Sequence, residues 1–239
     1  MPRNTLTVAV AQTEILVGDV VGNATGQAEV VRAAGARLVV LPELSLTGYD
    51  VEAASLDLAD PALDVLVRAC REVGSVALVG APISEDGGDF IATLRVDQDG
   101  VPVAARKVWV HGAEHDRFRG GPEAAVIDVD GWTVGLAICF DTNVQRHTAQ
   151  LARRGVDLYV AGVLDGPGQE DERVARTFLT ARALRAPVAI SHYRGATPLF
   201  PTTVGTSMMA DANREILAAV SDPENERFVV ATVRGRAQS

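Results

Sequence analysis

Cysteine, aromatic residues and long apolar runs are all scarce in this chain of 239 residues. Its two cysteines, Cys70 and Cys139, are too few for a disulfide framework, which favours a reducing, cytoplasmic setting. Aromatic residues make up 5%, so aliphatic side chains must fill the core. No apolar segment reaches the roughly 20 residues that span a bilayer. The first apolar stretch, Leu6–Ala11, is too short for a signal peptide core followed by a cleavage site.

Positively charged residues are also fewer than negatively charged ones. The chain has 22 Lys and Arg against 31 Asp and Glu, which gives a formal net charge of −9 and a pI of about 4.9. An acidic surface repels phosphate backbones and anionic lipids, and no run of Lys or Arg offsets that repulsion. We therefore predict that the chain binds neither nucleic acid nor a membrane surface.

The sequence offers little for a metal or a cofactor. His111 and His115 are four residues apart, but Gly112 between them argues against a helix, and no Cys or carboxylate pattern completes a tetrahedral site. The glycine pairs at 87–88 and 120–121 lack the spacing of phosphate-binding loops. We predict no metal and no cofactor.

The remaining sequence is 47% hydrophobic and alternates between strand and helix patterns. Two sheets that face each other, each backed by helices, would accommodate this pattern in a single α/β domain over residues 1–239. The predicted helices are Val20–Ala36, Pro61–Val73, Val144–Arg154 and Glu170–Ala186. The predicted strands are Leu6–Ile15, Leu38–Leu41, Val76–Ile83, Phe90–Val96, Val101–Val110, Ala125–Val129, Trp132–Ile138, Val156–Val163, Val188–His192, Thr203–Met209, Glu215–Val220 and Phe228–Val233.

Cys139 is the first candidate for chemistry, because it ends the apolar run Val134–Ile138 and precedes a predicted helix. A strand-to-helix turn leaves backbone N–H groups unpaired and is locally positive, so it would stabilise a thiolate and a neighbouring oxyanion. A lone cysteine at the end of an apolar strand is more often a small buried hydrophobic residue. A catalytic interpretation of Cys139 therefore needs partners elsewhere in the chain.

Glu43 and Lys107 are suitable partners. Glu43 follows a predicted strand, where catalytic groups of α/β layers gather, and the apolar surroundings should raise its pKa towards that of a base. Lys107 shares one face of its predicted strand with apolar residues and so needs a carboxylate or a developing anion. The alternatives are a surface glutamate that opens a loop and a lysine whose ammonium extends to solvent.

The segments around these residues resemble the Glu–Lys–Cys motifs of the nitrilase superfamily, the carbon–nitrogen hydrolases, and especially its amidases. The three residues stand in the family's order, 64 and 32 positions apart. The motif segments are Leu41-Pro42-Glu43-Leu44-Ser45-Leu46-Thr47-Gly48-Tyr49, Arg106-Lys107 and Cys139-Phe140-Asp141. Further similarity lies at Gly18-Asp19 with Asn23, Arg182-Ala183 and Gly205-Thr206-Ser207.

This resemblance implies a four-layer α-β-β-α sandwich, usually assembled into homodimers or larger homo-oligomers. It also implies hydrolysis of a small amide or N-carbamoyl compound. Glu43 would take the thiol proton, and Cys139 would form a thioester. Lys107 and the backbone N–H of Phe140 would hold the oxyanion. A second glutamate usually follows the lysine; Glu114 and His115 could both occupy that place, and we prefer Glu114 on chemical type.

Two other functions remain open at this point. The same thioester could be passed to an amine, which would make the protein an acyltransferase, or the fold could serve as a non-catalytic binding subunit. The chain also departs from the family's usual residues at Phe90-Ile91 and at His192, where the family commonly has Tyr-Asn and Asn. Asp141 is expected to cap the helix after Cys139.

Overall fold

The computed structural model describes residues 5–203 and 205–235. Within them the chain forms twelve strands and four α-helices. The strands are β1 (Leu6–Ala11), β2 (Leu38–Val40), β3 (Val76–Glu85), β4 (Gly88–Val96), β5 (Val103–Arg106), β6 (Val126–Val129), β7 (Trp132–Ile138), β8 (Leu158–Val163), β9 (Val188–His192), β10 (Met208–Ala210), β11 (Ile216–Ala219) and β12 (Phe228–Val233). The helices are α1 (Val20–Ala34), α2 (Asp64–Val73), α3 (Gln145–Arg153) and α4 (Glu170–Leu184).

The strands form two six-stranded mixed sheets, ordered β12-β1-β2-β3-β4-β5 and β11-β10-β9-β8-β7-β6. In each sheet three strands are parallel: β1, β2 and β3 in the first, and β7, β8 and β9 in the second. Parallel neighbours require crossover connections, and each of these connections contains one of the four helices. The remaining strands pair antiparallel.

Successive residues of a strand point to opposite faces of its sheet, so the apolar core divides into three buried interfaces between layers. On β1, Val8 and Val10 belong to the cluster between the sheets, whereas Ala9 and Ala11 pack with α1 and α2. On the other sheet, Leu136 points into the central cluster and Ala137 packs with α3 and α4. The layer order is therefore helices, sheet, sheet, helices, which confirms the predicted four-layer α/β sandwich and its single domain. Residues 1–4, 204 and 236–239 of the predicted domain lie outside the described residues.

Several predicted elements are longer than the structure allows. The strand predicted over Val101–Val110 ends at Arg106, because the carboxylate of Asp141 accepts the backbone N–H groups of Val108 and Trp109. The first strand ends at Ala11 rather than Ile15. The helix predicted over Val144–Arg154 is preceded by a separate 3₁₀ turn at Cys139–Asn143. The strand predicted over Thr203–Met209 is shorter and shifted, at Met208–Ala210, and Val204 lies outside the described residues.

Membrane insertion finds no support in the helices. Across the described part of the chain, none is both long enough and apolar enough to cross a bilayer.

Candidate active site

Glu43 lies where the chain leaves β2 and passes between the two sheets. Two glycines make room for it. A Cβ atom on Gly80 of β3 would lie 2.3 Å from the backbone nitrogen of Leu44, and one on Gly162 of β8 would lie 2.8 Å from that of Glu43. Any larger residue at either position would force the Glu43 turn outwards. The turn is also strained, since Leu44 has a φ of 49°.

Lys107 directly follows β5, and its backbone N–H still donates to the carbonyl of Ile91 at 2.8 Å. Its Nζ lies 2.7 Å from Glu43 Oε1 and 2.6 Å from Glu114 Oε1, with a side chain only 1% exposed. Burial lowers the pKa of Lys107, but the nearby acidic groups outweigh burial, so that the pKa lies above its ordinary value. The site therefore contains a permanently charged ammonium.

Glu114, and not His115, occupies the fourth polar position. Its Oε1 accepts hydrogen bonds from Lys107 Nζ and from the Tyr49 hydroxyl at 2.7 Å, and its Oε2 accepts the backbone N–H of His111 at 2.8 Å. His115, one residue further along, is exposed. With both oxygens engaged, Glu114 fixes the position of the Lys107 ammonium.

Glu43 has the properties of a general base. Burial raises its pKa to about 7, although the Lys107 ammonium opposes this shift. Oε1 bonds to Lys107, but Oε2 makes no hydrogen bond to any nitrogen or oxygen of the described residues. The Cys139 thiol lies close enough to affect the pKa of Glu43. A carboxylate with one anchored and one available oxygen can accept a proton from this thiol.

Cys139 begins the 3₁₀ turn after β7 and has a φ of 43°, a conformation that non-glycine residues rarely adopt. Its Sγ donates to the carbonyl of Leu164 at 3.6 Å. Burial and the Glu43 carboxylate raise the pKa of the thiol well above its ordinary value. Burial and the neighbouring carboxylate therefore oppose the stabilised thiolate that the turn alone predicts. Cys139 needs a base.

Asp141 does not cap the helix after Cys139, because α3 has Val144 as its N-cap residue and no side-chain capping bond. Instead, Asp141 Oδ2 accepts the backbone N–H of Ile138 at 3.1 Å, at the start of the 3₁₀ turn, while Oδ1 binds the N–H groups of Val108 and Trp109. Burial raises its pKa to about 6 against the effect of these bonds. One carboxylate thus holds the cysteine turn and the segment after Lys107 together.

Sequence reasoning missed a second buried cluster next to Cys139. It consists of Asp165, Arg173 and His192. Both carboxylate oxygens of Asp165 bind the guanidinium of Arg173 at 2.6 Å, and His192 Nε2 lies 3.1 Å from Asp165 Oδ2. Little in the sequence indicates this cluster, because Asp165 lies in a predicted loop and Arg173 lies on a predicted polar helix. Only the departure from the family's asparagine at His192 marked the location.

A cavity of about 230 Å³ opens at Cys139. Its wall includes Glu114 and Phe140, and the Phe140 ring stacks on His111 at 4.1 Å. The Phe140 N–H belongs to the first turn of the 3₁₀ segment, where backbone donors lack intrahelical partners. A larger groove of about 660 Å³ lies between α3 and α4, but neither Cys139 nor Glu114 lines it. The cavity at Cys139 is therefore the candidate site for substrate.

In the part of the chain that the structure describes, no three His, Cys, Asp or Glu side chains are grouped so that they could hold a metal ion. His111 and His115 flank a 3₁₀ turn rather than lie on one helix face.

Comparison with known proteins agrees with the geometry. Residues 7–239 match the family model described as carbon-nitrogen hydrolase. A Pseudomonas protegens protein named hydrolase in the pqqF 5′ region is 30% identical over 164 residues, which cover 64% of this chain and 58% of that relative's length. The chain therefore spans less than two thirds of the length of this relative.

Solved structures show the same fold at low sequence identity. A carbon-nitrogen hydrolase superfamily protein from Xanthomonas campestris aligns with a TM-score of 0.86 at 18% identity, over 97% of this chain and 91% of that one. A mutant of the amidase from Nesterenkonia sp. aligns with a TM-score of 0.79 at 19% identity, over 98% and 92%. The predicted family is confirmed: this chain belongs to the carbon-nitrogen hydrolase family, within the nitrilase superfamily.

Proposed function

We propose that the protein hydrolyses a small amide through a thioester on Cys139. The observation that carries this proposal is the buried contact of Lys107 with both Glu43 and Glu114, next to the thiol. A solved relative supports it: a mutant of the amidase from Nesterenkonia sp. shows covalent addition of the acetamide moiety of fluoroacetamide at the active site cysteine. A binding subunit would have no use for a base and an ammonium buried beside a thiol.

The first half of the reaction is acylation of Cys139. Glu43 Oε2 accepts the thiol proton while sulfur attacks the carbonyl carbon, and the carbonyl oxygen becomes an oxyanion. Lys107 Nζ and the Phe140 N–H stabilise that negative charge. When the tetrahedral intermediate collapses, the C–N bond breaks and Glu43 returns its proton to the leaving nitrogen. Ammonia departs and the acyl group stays on Cys139.

Deacylation repeats the same steps with water. Glu43 takes a proton from a water molecule, the oxygen attacks the thioester carbon, and the second oxyanion occupies the same donors. Collapse breaks the C–S bond, and Glu43 returns its proton to the sulfur. The products are a carboxylic acid and the free thiol, so the atoms of one amide and one water are accounted for.

We further infer that the preferred substrate is short and uncharged. The cavity is small, at about 230 Å³. Among the described residues, every Asp, Glu and Arg of its wall already has an oppositely charged partner: Glu114 with Lys107, Asp165 with Arg173, and Glu172 with Arg176. A substrate carboxylate would lose its hydration without gaining a free cation.

The specificity prediction compares butyramide with succinamate, in which a carboxylate replaces the terminal methyl group. We expect kcat/KM for butyramide to be roughly 10- to 100-fold higher, because the carboxylate would enter the cavity unpaired. Ammonia release under identical conditions measures both, and N-carbamoylglycine provides a second carboxylate-bearing substrate. A preference for either anionic compound would contradict the proposal of a neutral substrate.

The pH dependence follows from two raised carboxyl pKa values. Glu43 must be deprotonated to accept the thiol proton, so kcat/KM should fall about tenfold per pH unit below pH 7, near the pKa of Glu43. Below about pH 6, Asp141 also becomes protonated, and the slope should steepen because its clamp on the cysteine turn is lost.

Initial rates between pH 5 and 9 check this prediction, with circular dichroism at each pH to show that the protein stays folded. A limb centred near 4.5, the ordinary value for glutamate, would exclude Glu43 as a base in this environment.

A further inference from the structure

Arg173 projects from the first turns of α4 and is buried, with 4% of its side chain exposed. Its Nη1 donates to the Thr142 hydroxyl at 2.7 Å, and that hydroxyl donates to the carbonyl oxygen of Cys139 at 2.7 Å. Two hydrogen bonds through a single hydroxyl thus connect the guanidinium to the backbone of the cysteine that we propose as the nucleophile.

The same guanidinium is tied to the segment on the other side of the thiol. Arg173 Nε and Nη2 bind Asp165 in a bidentate pair, and Asp165 directly follows Leu164, whose carbonyl accepts the thiol hydrogen bond. One side chain therefore connects the two segments that contact Cys139. Arg173 reaches the 3₁₀ turn through its bond to Thr142, and it reaches the segment after β8 through its bonds to Asp165.

His192, at the end of β9, contacts the same Asp165 carboxylate. Its ring Nε2 lies 3.1 Å from Asp165 Oδ2, the oxygen that also accepts from Arg173 Nε. Burial lowers the pKa of His192, although Asp165 opposes the shift. Because a carboxylate only accepts hydrogen bonds, a proton on Nε2 would make His192 the donor. Hydrogen bonds from His192 and Arg173 in turn hold the pKa of Asp165 well below its ordinary value despite burial. The carboxylate therefore stays ionised and paired.

A strained backbone needs this kind of support. Cys139 has a φ of 43°, which costs energy and persists only where surrounding contacts enforce it. Asp141 holds Ile138, the residue before Cys139, whereas Thr142 holds the Cys139 carbonyl. Without Arg173, the Thr142 hydroxyl would lose the donor that orients it. The turn, and with it Sγ and the Phe140 N–H, would be free to shift.

We propose that Arg173, held by Asp165 and His192, is a positioning residue that fixes the Cys139 turn through Thr142 for attack on the amide. This inference rests on the proposed role of Cys139 as the nucleophile. Because the Arg173 charge is already paired with Asp165, the residue is not an anchor for a substrate carboxylate. Its loss should therefore change the rate of the chemical step rather than the binding of substrate.

The test uses Arg173→Met, Thr142→Val and the double variant, with Arg182→Met, an exposed arginine of the same helix, as the matched control. We expect kcat to fall roughly 10- to 100-fold in both single variants, with KM within about twofold of wild type. The double variant should lose no more than the worse single variant, because both act through the same hydrogen bond. Arg182→Met should retain full activity.

A second readout separates this inference from the proposed function. In a Cys70→Ala background, the rate of Cys139 alkylation by iodoacetamide should fall in parallel with kcat, whether or not the amide substrate has been identified. Unchanged alkylation and kcat in Thr142→Val, a rise in KM alone, or additive losses in the double variant would each overturn the inference. If Arg173→Met does not fold, Thr142→Val decides the outcome by itself, since it removes only one hydroxyl.

Discussion

Replacing Cys139 with alanine should abolish amide hydrolysis, with a loss of roughly 10⁴-fold or more in kcat. The reason is chemical: without Sγ no thioester forms, and Glu43 and Lys107 would be left to assist a direct attack by water. Ammonia release over a panel of short amides, with wild type and variant at equal folded concentration, measures the effect. Mass spectrometry of the wild type during turnover should show Cys139 carrying the acyl group.

The chain provides a matched control in its other cysteine. Cys70 lies in α2, is 1% exposed and belongs to the cluster between the helices and the first sheet. Burial raises the pKa of its thiol to about 11, so it is unreactive. Cys70→Ala should keep wild-type kcat and KM. Equal activity in Cys139→Ala and wild type would end the proposal of a cysteine nucleophile. An acyl group that goes mainly to an added alkylamine rather than to water would instead favour the acyltransferase.

Replacing Lys107 with methionine should have the second largest effect. Turnover should fall by roughly 10²–10³-fold, because the oxyanion loses one of its two donors. The fold should also lose about 3–5 kcal/mol, since Glu43 and Glu114 would face each other without the ammonium that now lies between them. Loss of that ammonium also removes an influence that lowers the pKa of Glu43, so the acidic limb of the rate profile should move to higher pH.

Steady-state kinetics and urea unfolding check the two effects of Lys107→Met separately. Lys107→Arg retains the charge but not the shape, and it should recover stability more than activity. A loss of turnover below about threefold in Lys107→Met would remove Lys107 from the oxyanion site, whatever happens to stability.

Lys107 also offers a direct spectroscopic probe. It is the only lysine in the sequence, against 21 arginines. Selective ¹⁵N-lysine labelling should therefore give a single side-chain Nζ signal. That signal should shift as Glu43 titrates near pH 7, because the two groups are 2.7 Å apart. A signal that does not change between pH 5 and 9 would contradict the raised pKa of Glu43.

The catalytic candidates could be predicted from the sequence because their local contexts are distinctive. Glu43, Lys107 and Cys139 each follow an apolar strand pattern, and their order and spacing resemble one family. Chemical type was enough to prefer Glu114 over His115, and the structure places Glu114 in the site. The scarcity of lysine, with one among 22 basic residues, also distinguishes Lys107 in the sequence, independently of its strand pattern.

Contacts between distant segments could not be predicted in this way. The residues of the cluster, Asp165, Arg173 and His192, come from the loop after β8, from α4 and from β9, and each alone fits an ordinary loop, helix or strand. The close approach of the Glu43 turn to Gly80 and Gly162 likewise depends on how two sheets pack. The early end of β5 results from Asp141, more than thirty residues later in the chain.

The resemblance to the family implied the four layers, whereas the sequence pattern by itself was compatible with two facing sheets backed by helices without requiring them. The sequence by itself determined which residue types were available for chemistry. The tertiary structure decided their protonation and their geometry, because desolvation and neighbouring charges depend on the full set of surrounding atoms. The thiol illustrates this difference: its turn predicts a thiolate, whereas burial and the Glu43 carboxylate raise the pKa of Cys139, so that the proposed attack requires a base.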